Sequence, residues 1–367
     1  MRRRTKTTVS NTGDNAETSL RRTPLFSIHE AAEARFVAFA GFEMPISYPA
    51  GIIAEHKHTR TAAGLFDVSH MGQILVSGEN AATALETLIP VDIADLQRGR
   101  QRYGFFTNEA GGILDDLMIV ARESSYLLVV NASRTQEDLD HLHTRIGHRC
   151  DVELLGNRAL LALQGPAAGA VMREIEPAAE SLRFLDFAEV EIDGAACWVS
   201  RCGYTGEDGF EVSCDSEFAA TLSQRLLEHP DVALIGLGAR DSLRLEAGLC
   251  LYGNDIDAAT SPIEAGLDWA VSRSRRSDGA RAGGYPGEQL IAQQLESGPS
   301  RRRVALMPQS RTPVRAGTEV TDGAGSVAGS VTSGGFGPSV NAPVAMGYVS
   351  SELASPGTAL NAIVRGK

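Results

Sequence analysis

Two adjacent carboxylates, Asp115 and Asp116, interrupt an apolar stretch that runs from Ile113 to Val120. The preceding Gly111-Gly112 pair predicts a turn, and the period of a strand places Asp115 with Ile113 on one face and Asp116 with Leu114 on the other. Both faces are otherwise apolar, which favours a central strand covered on both sides. Because a buried carboxylate without a partner is strongly destabilising, at least one of the two should be hydrogen-bonded or face a cleft. Acid–base chemistry and simple capping of a turn are both open at this point.

A second candidate is the segment from Gly203 to Glu211, which combines three glycines, two aromatic residues and three carboxylates in nine residues. The simplest interpretation is a hairpin whose glycines supply positive φ. In a binding site, Tyr204 would offer a stacking face, and Glu211 would accept two parallel N–H donors from the edge of an amino-pyrimidine. The spacing fits neither a Walker loop nor the GxGxxG pattern, which argues against phosphate binding.

A third candidate is the helix predicted from Gly236 to Glu246, where Arg240 and Arg244 lie one turn apart. Asp241 is placed to pair with Arg244. Charges on a solvated helix face are the commoner explanation of such a pattern. The alternative is an arginine that clamps a carboxylate early in the helix.

The run from Asp67 to Gly72 places His70 beside Asp67 and Ser69, which invites comparison with a catalytic triad. Triad partners usually converge from distant segments, and the sequence contains no GxSxG elbow. We therefore expect a structural turn near a pocket.

Composition and charge narrow the classes of function. The 367 residues are 43% apolar and 22% charged, which is enough for two or three globular domains. The net charge of −12 argues against nucleic acid as a partner, and there is no apolar run of about 18 residues to predict a membrane span. Five irregularly spaced cysteines indicate reduced thiols, in the cytoplasm or a similar compartment. No metal site is predicted, because the His56/His58 and His141/His143 pairs fall in predicted helices, where residues two apart do not face each other.

The apolar periodicity predicts the scaffold for these candidates as two related α+β units that resemble split βαβ motifs. In the first unit, strands are predicted at 72–77, 114–121 and 126–130, with helices at 52–61, 80–88 and 137–146. In the second unit, strands are predicted at 159–163, 187–192 and 197–200, with helices at 167–175, 216–228 and 238–248.

The expected boundaries follow from composition. Residues 1–20 should be a disordered arm, residues 21–150 the first unit with the Asp116 strand, and residues 151–275 the second unit with the Gly203–Glu211 loop, with interleaving of the two allowed. The Arg-, Ser- and Gly-rich segment from Ser272 to Gly284 is interpreted as a linker or mobile loop. Short β-like runs between Gly and Pro residues predict a small β-barrel over residues 285–367.

Taken together and in this order, several segments resemble the aminomethyltransferase, or T-protein, family of the glycine cleavage system. The resemblance runs from about Arg22 to the end of the chain. The segments that carry it are Arg22–Leu25, Phe39–Pro45, Phe66–Gly72, Asn108–Leu117, Leu163–Pro166, Gly203–Glu211, Gly236–Glu246, Leu251–Asp257 and Val331–Gly334.

The resemblance implies a three-domain cloverleaf around a central folate channel, without a metal. It implies transfer of the aminomethyl group from the dihydrolipoyl arm of lipoylated H-protein to tetrahydrofolate, with release of ammonia and formation of 5,10-methylenetetrahydrofolate. The essential aspartate of the family falls on Asp116. The folate contacts of the family fall on Met71, Tyr103, Asn131, Tyr204, Glu211 and Arg240.

We expect a cytoplasmic enzyme, with the mitochondrial matrix as the alternative. The Arg- and Thr-rich composition of the N-terminal segment resembles that of a transit peptide. Asp14 and Glu17 count against that interpretation.

Three rival interpretations share the fold. A folate-dependent demethylase of the same superfamily would alter the aspartate strand. A non-catalytic folate-binding protein would carry a Lys-Gly-Cys-Tyr-x-Gly-Gln-Glu motif, unlike the segment from Arg201 to Asp208. A domain of a flavin-linked oxidase would follow a GxGxxG domain.

Members of the family typically continue past the position of Lys367 with another strand. We therefore expect the small β-domain to be short at its C-terminus and less stable than an extended version, unless residues 359–365 already close it.

Overall fold

The computed structural model describes residues 19–364, and the helices and strands named below lie in that range. Most of the predicted N-terminal arm and the last three residues, 365–367, lie outside the described residues. A two-stranded hairpin and one helix on each side of it come first: α1 (Phe26–Ala31), β1 (Arg35–Phe39), β2 (Phe42–Ser47) and α2 (Ile52–Thr61). The hairpin turns at Ala40 and Gly41, whose φ angles are 49° and 80°. Such positive values match the twist of the paired strands.

The first unit is a five-stranded sheet with the order β5-β6-β7-β4-β8. Its elements are β4 (Gly72–Ser77), α3 (Ala81–Leu85), β5 (Arg100–Thr107), β6 (Ile113–Ala121), β7 (Ser125–Val130), α4 (Thr135–Ile146) and β8 (Asp151–Leu154), with β3 described below. One face of β6 contributes Leu117 and Ile119 to a core that also contains Leu142 and Ile146 of α4. The other face contributes Val120 to a core shared with the second unit. The strand is therefore covered on both sides, as its sequence predicts.

The alternation predicted along β6 is interrupted by a bulge. The β5–β6 register shifts between Phe106, which faces Asp115, and Thr107, which faces Ile113, so Leu114 is the extra residue. Leu114 consequently packs with the α3/α4 core, while Ile113 packs with Phe105 and Cys250 on the other side. The faces predicted for Ile113 and Leu114 are thus wrong, whereas Asp115 and Asp116 keep their opposite orientations. Bulges of this kind commonly adjust side-chain direction next to functional sites.

The second unit is a six-stranded sheet with the order β10-β11-β12-β9-β3-β13. Its elements are β3 (Ala63–Asp67), β9 (Arg158–Gln164), α5 (Ala168–Ile175), β10 (Phe187–Ile192), β11 (Ala195–Ser200), β12 (Gly209–Asp215), α6 (Ala219–Leu227), β13 (Val232–Leu234) and α7 (Leu237–Glu246). β3 comes from the N-terminal part of the chain and pairs with β9 and β13. The two α+β units therefore interleave.

The small C-terminal β-barrel domain contains five strands in the order β14-β17-β16-β15-β18. After α8 (Glu288–Ser297) these strands are β14 (Arg301–Leu306), β15 (Glu319–Thr321), β16 (Val327–Gly337), β17 (Ala342–Ser350) and β18 (Asn361–Ala362). β18 pairs with β15, and the N–H of Ile363 donates to the carbonyl of Glu319. Part of the segment 359–365 thus already lies along the edge of this sheet.

The segment from Ser272 to Gly284 is held against the first unit, which corrects its interpretation as a linker or mobile loop. Arg275 is 6% exposed, and its guanidinium donates to the carbonyls of Glu86, Arg281 and Gly283, each at 2.7 Å. Arg281 Nε donates to Glu86 Oε2 at 3.2 Å. These charge-assisted hydrogen bonds fix a sequence that lacks apolar anchors. Every helix within residues 19–364 is too short or too polar to cross a membrane.

Candidate active site

Asp116 is held by the two strands that flank β6. Tyr103 on β5 donates its hydroxyl to Asp116 Oδ2 at 3.0 Å. Asn131, which directly follows β7, donates Nδ2 to Asp116 Oδ1 at 2.8 Å. The residue as a whole is partly exposed, and these two hydrogen bonds fix the orientation of its carboxylate.

Asp115 occupies a different environment although it is the next residue along the strand. It is 0% exposed and accepts hydrogen bonds from the backbone N–H of Asn131 at 3.0 Å and from Asn131 Nδ2 at 2.9 Å. Asn131 therefore binds both carboxylates and locks the end of β7 to β6. Of the two aspartates, only Asp116 can meet a ligand from the centre of the molecule.

Burial, followed by the charge of Asp115, raises the pKa of Asp116 to about 7. Burial, followed by the charge of Asp116, raises the pKa of the Tyr103 hydroxyl well above its usual value. Tyr103 is therefore a hydrogen-bond donor at neutral pH. Asp116 is close to the midpoint of its titration, where a carboxylate can both accept and return a proton.

The second half of the site is formed by Tyr204, Glu211 and Arg240. The Arg240 guanidinium lies 4.7 Å from the centre of the Tyr204 ring, and its Nη1 atom is buried without a hydrogen-bond partner among residues 19–364. Burial raises the pKa of Glu211, and the Arg240 charge and the Cys202 thiol oppose that shift. The charge of Arg240 thus acts on the Glu211 carboxylate, and its guanidinium lies over an aromatic ring.

The two halves meet through Cys250, the residue that follows Leu249 after α7. Tyr204 donates its hydroxyl to the carbonyl of Cys250. Tyr103 packs against the core that contains Cys250, and the pKa of Tyr103 is also raised by the proximity of Cys250 and Tyr204. Asp116 and Arg240 consequently border one interior region.

Met71 reaches this region less directly. Its side chain packs against the core shared by the two units, which also contains Ala239, the residue before Arg240. It also lines a cleft of about 520 Å³ together with His70 and Thr135. All seven predicted site residues are partly exposed although they lie in the interior, as expected for the lining of a channel: Met71, Tyr103, Asp116, Asn131, Tyr204, Glu211 and Arg240.

The Asp67–Ser69–His70 segment is a structural turn beside that cleft, as expected from the sequence. Asp67 accepts hydrogen bonds from His29 Nε2 at 2.8 Å and from the Ser69 N–H at 2.9 Å, and neither bond involves His70. Burial lowers the pKa of His70 to about 4, so its ring is neutral at physiological pH.

Sequence reasoning missed two residues around the site, Trp269 and Asp138, and favoured a solvated position for a third, Arg244. Trp269 is 62% exposed, and its ring stacks on Tyr103 with the centroids 5.3 Å apart. Asp138 on α4 is 2% exposed and lies next to Asp115. Arg244 is buried rather than solvated, and it pairs with Asp241 at 2.8 Å as predicted. The available signal for these two residues was weak: Trp269 is one of two tryptophans, and Asp138 is one of two acidic residues in the first turn of α4.

No group of three or more His, Cys, Asp or Glu side chains within the described range is arranged to hold a metal ion.

Comparison with known proteins assigns the chain. Residues 25–275 match the GCVT N-terminal domain, and residues 301–367 match the glycine cleavage T-protein C-terminal barrel domain. The mitochondrial aminomethyltransferase of Homo sapiens is 44% identical over 361 residues, which cover 96% of this chain and 88% of that protein. The probable mitochondrial aminomethyltransferase of Schizosaccharomyces pombe is 44% identical over 358 residues, which cover 96% of this chain and 91% of that protein.

A solved structure agrees with this assignment. The crystal structure of glycine cleavage system aminomethyltransferase T from Bartonella henselae matches with a TM-score of 0.89 and 47% identity, and 95% of each chain is covered. The chain therefore belongs to the glycine cleavage T-protein family. As a member of that family it is a transferase, an aminomethyltransferase of the glycine cleavage system.

Proposed function

We propose that this chain moves the aminomethyl group from the dihydrolipoyl arm of H-protein to tetrahydrofolate, with release of ammonia and formation of 5,10-methylenetetrahydrofolate. The observation that supports this most strongly is the Asp116 carboxylate, which Tyr103 and Asn131 hold at 3.0 and 2.8 Å on the accessible face of β6. Tetrahydrofolate, when bound, supplies the two nitrogens that take up the one-carbon unit.

The second half of the site fits a folate. Arg240 Nη1 is buried without a partner among residues 19–364, and such an orphaned donor is costly unless a ligand satisfies it. Glu211 offers two carboxylate oxygens, and its nearest hydrogen-bonding neighbour is the weak thiol donor of Cys202. A ligand with neighbouring N–H donors and an acceptor would satisfy both residues.

Asp116 stabilises the positive charge that develops on a nitrogen as it attacks the methylene carbon, and it accepts the proton that this nitrogen releases. Its carboxylate needs no reorganisation during the step, because Tyr103 and Asn131 already fix both oxygens. The two N–C bonds formed replace the C–N bond to ammonia and the C–S bond to the dihydrolipoyl arm, which departs as a free thiol, and the two N–H protons of tetrahydrofolate end on the amine and on the sulfur. A pKa of about 7 allows Asp116 to pass the first of these protons on to the departing amine.

The other residues bind and orient. We assign Tyr204 and Met71 to packing against the ligand, Glu211 to its N–H edge, and Arg240 to an acceptor on the ligand or to Glu211 itself. The first α+β unit then supplies Asp116 and Met71, and the second supplies Tyr204, Glu211 and Arg240. Lipoylated H-protein is the proposed partner because its arm must bring the aminomethyl group to Asp116.

The compartment is also a proposal. All five cysteines are buried free thiols, which suits a reducing environment. The curated relatives from Homo sapiens and Schizosaccharomyces pombe are mitochondrial by name, so we favour the mitochondrial matrix over the cytoplasm predicted from the sequence. Localisation of the tagged full-length chain tests this choice, and a cytosolic signal would reject it.

The direct test of the reaction combines the chain, tetrahydrofolate and H-protein carrying the aminomethyl group. We expect equal amounts of ammonia and methylenetetrahydrofolate, and no product with H-protein that lacks the lipoyl group. Binding of tetrahydrofolate without any turnover would favour a non-catalytic folate-binding protein. Turnover of an O-methyl or S-methyl substrate in place of the aminomethyl donor would favour a demethylase.

A further inference from the structure

A third carboxylate lies behind the Asp116 strand. Asp138 on α4 is 2% exposed and Asp115 is 0% exposed, and their side chains lie close enough to share a hydrogen bond if one of them is protonated. Asp138 Oδ2 is buried, and no N–H or O–H group among residues 19–364 donates to it. A proton held between the two carboxyl groups would satisfy it. Two carboxyl groups can hydrogen-bond each other only when one of them carries a proton. The geometry therefore describes a carboxyl–carboxylate pair.

The surroundings of this pair favour a single shared proton. Asn131 donates two hydrogen bonds to Asp115, at 3.0 and 2.9 Å, which stabilises one negative charge. Burial raises the pKa of both Asp115 and Asp138, which opposes a second charge. The other titratable or charged groups near the pair are Asp116 on β6, Arg134 at the N-cap of α4, Glu137 on α4 and Tyr252 after α7. Tyr103 on β5 is bonded to Asp116, and His141 lies three residues after Asp138 on α4.

The pair is coupled to the reacting carboxylate. Asn131 Nδ2 lies 2.9 Å from Asp115 Oδ1 and 2.8 Å from Asp116 Oδ1. Burial and then the charge of Asp115 raise the pKa of Asp116. The fraction of the pair's charge that sits on Asp115, rather than on the more remote Asp138, therefore controls how easily Asp116 ionises.

We propose that Asp138 is a positioning residue for Asp116, because by sharing one proton with Asp115 it draws negative charge away from the residue next to the reacting carboxylate and keeps Asn131 in place. This inference rests on the proposed function, in which Asp116 is the catalytic carboxylate. It assigns a role in the reaction to a side chain that touches no substrate.

Two substitutions move the charge in opposite directions. Asp138→Asn can donate to Asp115 but cannot share a proton, so the full negative charge sits beside Asp116. Asp115→Asn leaves the charge on Asp138, farther away. We expect the acidic limb of the kcat/KM profile against pH to move up by about one pH unit in Asp138→Asn and to move down in Asp115→Asn.

The matched control is Asp140→Asn on the same helix. Asp140 is exposed, and its carboxylate accepts from Gln136 Nε2 at 2.9 Å. This variant loses the same charge two residues away and should keep the wild-type midpoint. If Asp138→Asn does not fold, Asp138→Ser removes the carboxyl group, retains a donor and should shift the profile in the same direction.

A second measurement separates this inference from the proposed function. Trp269 stacks on Tyr103 at 5.3 Å, Tyr103 donates to Asp116 at 3.0 Å, and Trp198→Phe leaves Trp269 as the sole tryptophan. In that background, Trp269 emission titrated against pH should show the same opposite shifts.

Opposite emission shifts without any methylenetetrahydrofolate formation would refute the proposed function and support the carboxyl pair. Midpoints that coincide in wild type, Asp138→Asn and Asp115→Asn, with only kcat reduced, would overturn the inference, because a purely structural role predicts that result.

Discussion

Arg240 and Arg244 lie one turn apart on α7, yet their surroundings differ in kind. Arg244 is 2% exposed, and its guanidinium donates to Asp255 at 2.6 Å, Asp241 at 2.8 Å, Ser333 at 2.9 Å and the Leu249 carbonyl at 3.1 Å. Arg240 instead covers the Tyr204 ring and retains a buried Nη1 without a partner in the described range. A saturated arginine holds the fold together, whereas an unsaturated one beside a carboxylate and an aromatic ring is arranged for a ligand.

The largest expected effect is on stability. Arg244→Met removes the cation that compensates Asp255, whose side chain is 0% exposed, and we expect a loss of about 3 kcal/mol or more in the free energy of unfolding. The same substitution at Arg240 should change that free energy by less than about 1 kcal/mol. Urea unfolding of both variants measures the difference. Equal losses at the two positions would contradict the distinction between them.

Glu211→Gln tests the ligand side of the comparison. The amide replaces one acceptor oxygen by a donor, so we expect tetrahydrofolate affinity to fall by about 1–3 kcal/mol. Burial raises the pKa of Glu211, so as the pH falls the wild-type carboxylate takes up its proton earlier than an ordinary glutamate does, and affinity should fall with it. The variant should lack this part of the pH dependence. Calorimetry at neutral and acidic pH measures tetrahydrofolate affinity in both proteins. Equal affinities would show that Glu211 does not contact the ligand.

A milder pair of substitutions sharpens the contrast. Lysine keeps the charge of arginine but loses its planar fork and stacking surface. Arg240→Lys should therefore weaken tetrahydrofolate binding about tenfold with little change in stability. Arg244→Lys should do the reverse, destabilising the fold while the folded fraction binds normally. If tetrahydrofolate affinity fell only in Arg244→Lys, Arg244 would be the ligand-binding residue and Arg240 the structural one.

The sequence predicts elements best where one strong local period decides the structure. The predicted bounds of β4 (Gly72–Ser77), β10 (Phe187–Ile192) and α2 (Ile52–Thr61) coincide with those observed. In β4 and β10, alternating apolar positions leave one arrangement that buries them. Helix α2 has no such apolar face, since its buried residues are Glu55, His56 and Thr59. The doubly apolar β6 belongs to the same class as β4 and β10, and its central position follows from its pattern.

Elements fixed by distant partners are not predictable in this way. β5 begins with Arg100-Gln-Arg102, which has no apolar alternation, and it is defined by its pairing with β6. β3 joins β9, which follows it by about 95 residues along the chain, and no local pattern encodes that pairing. Arg275 is anchored on Glu86, 189 residues away, so its segment looks like a linker in the sequence.

The site residues also divide into those with a local signal in the sequence and those without one. The two carboxylates of β6 stand out from local pattern, and Tyr204, Glu211 and Arg240 were also candidates from their own segments. Met71, Tyr103 and Asn131 were proposed from family resemblance alone. Asp138 was missed because its significance depends on contact with Asp115 across the β6–α4 interface. A buried acid on an amphipathic helix has no distinguishing mark in the sequence.

Asp116→Asn is the most direct test of the catalytic carboxylate. The amide retains the shape of the side chain and its contacts to Tyr103 but neither carries the charge nor accepts the proton. The measurement is the single-turnover rate of methylenetetrahydrofolate formation from aminomethylated H-protein, with tetrahydrofolate affinity determined on the same samples. We predict near wild-type affinity and a rate at least about 100-fold lower. A rate equal to that of the wild type would show that Asp116 is not the catalytic carboxylate.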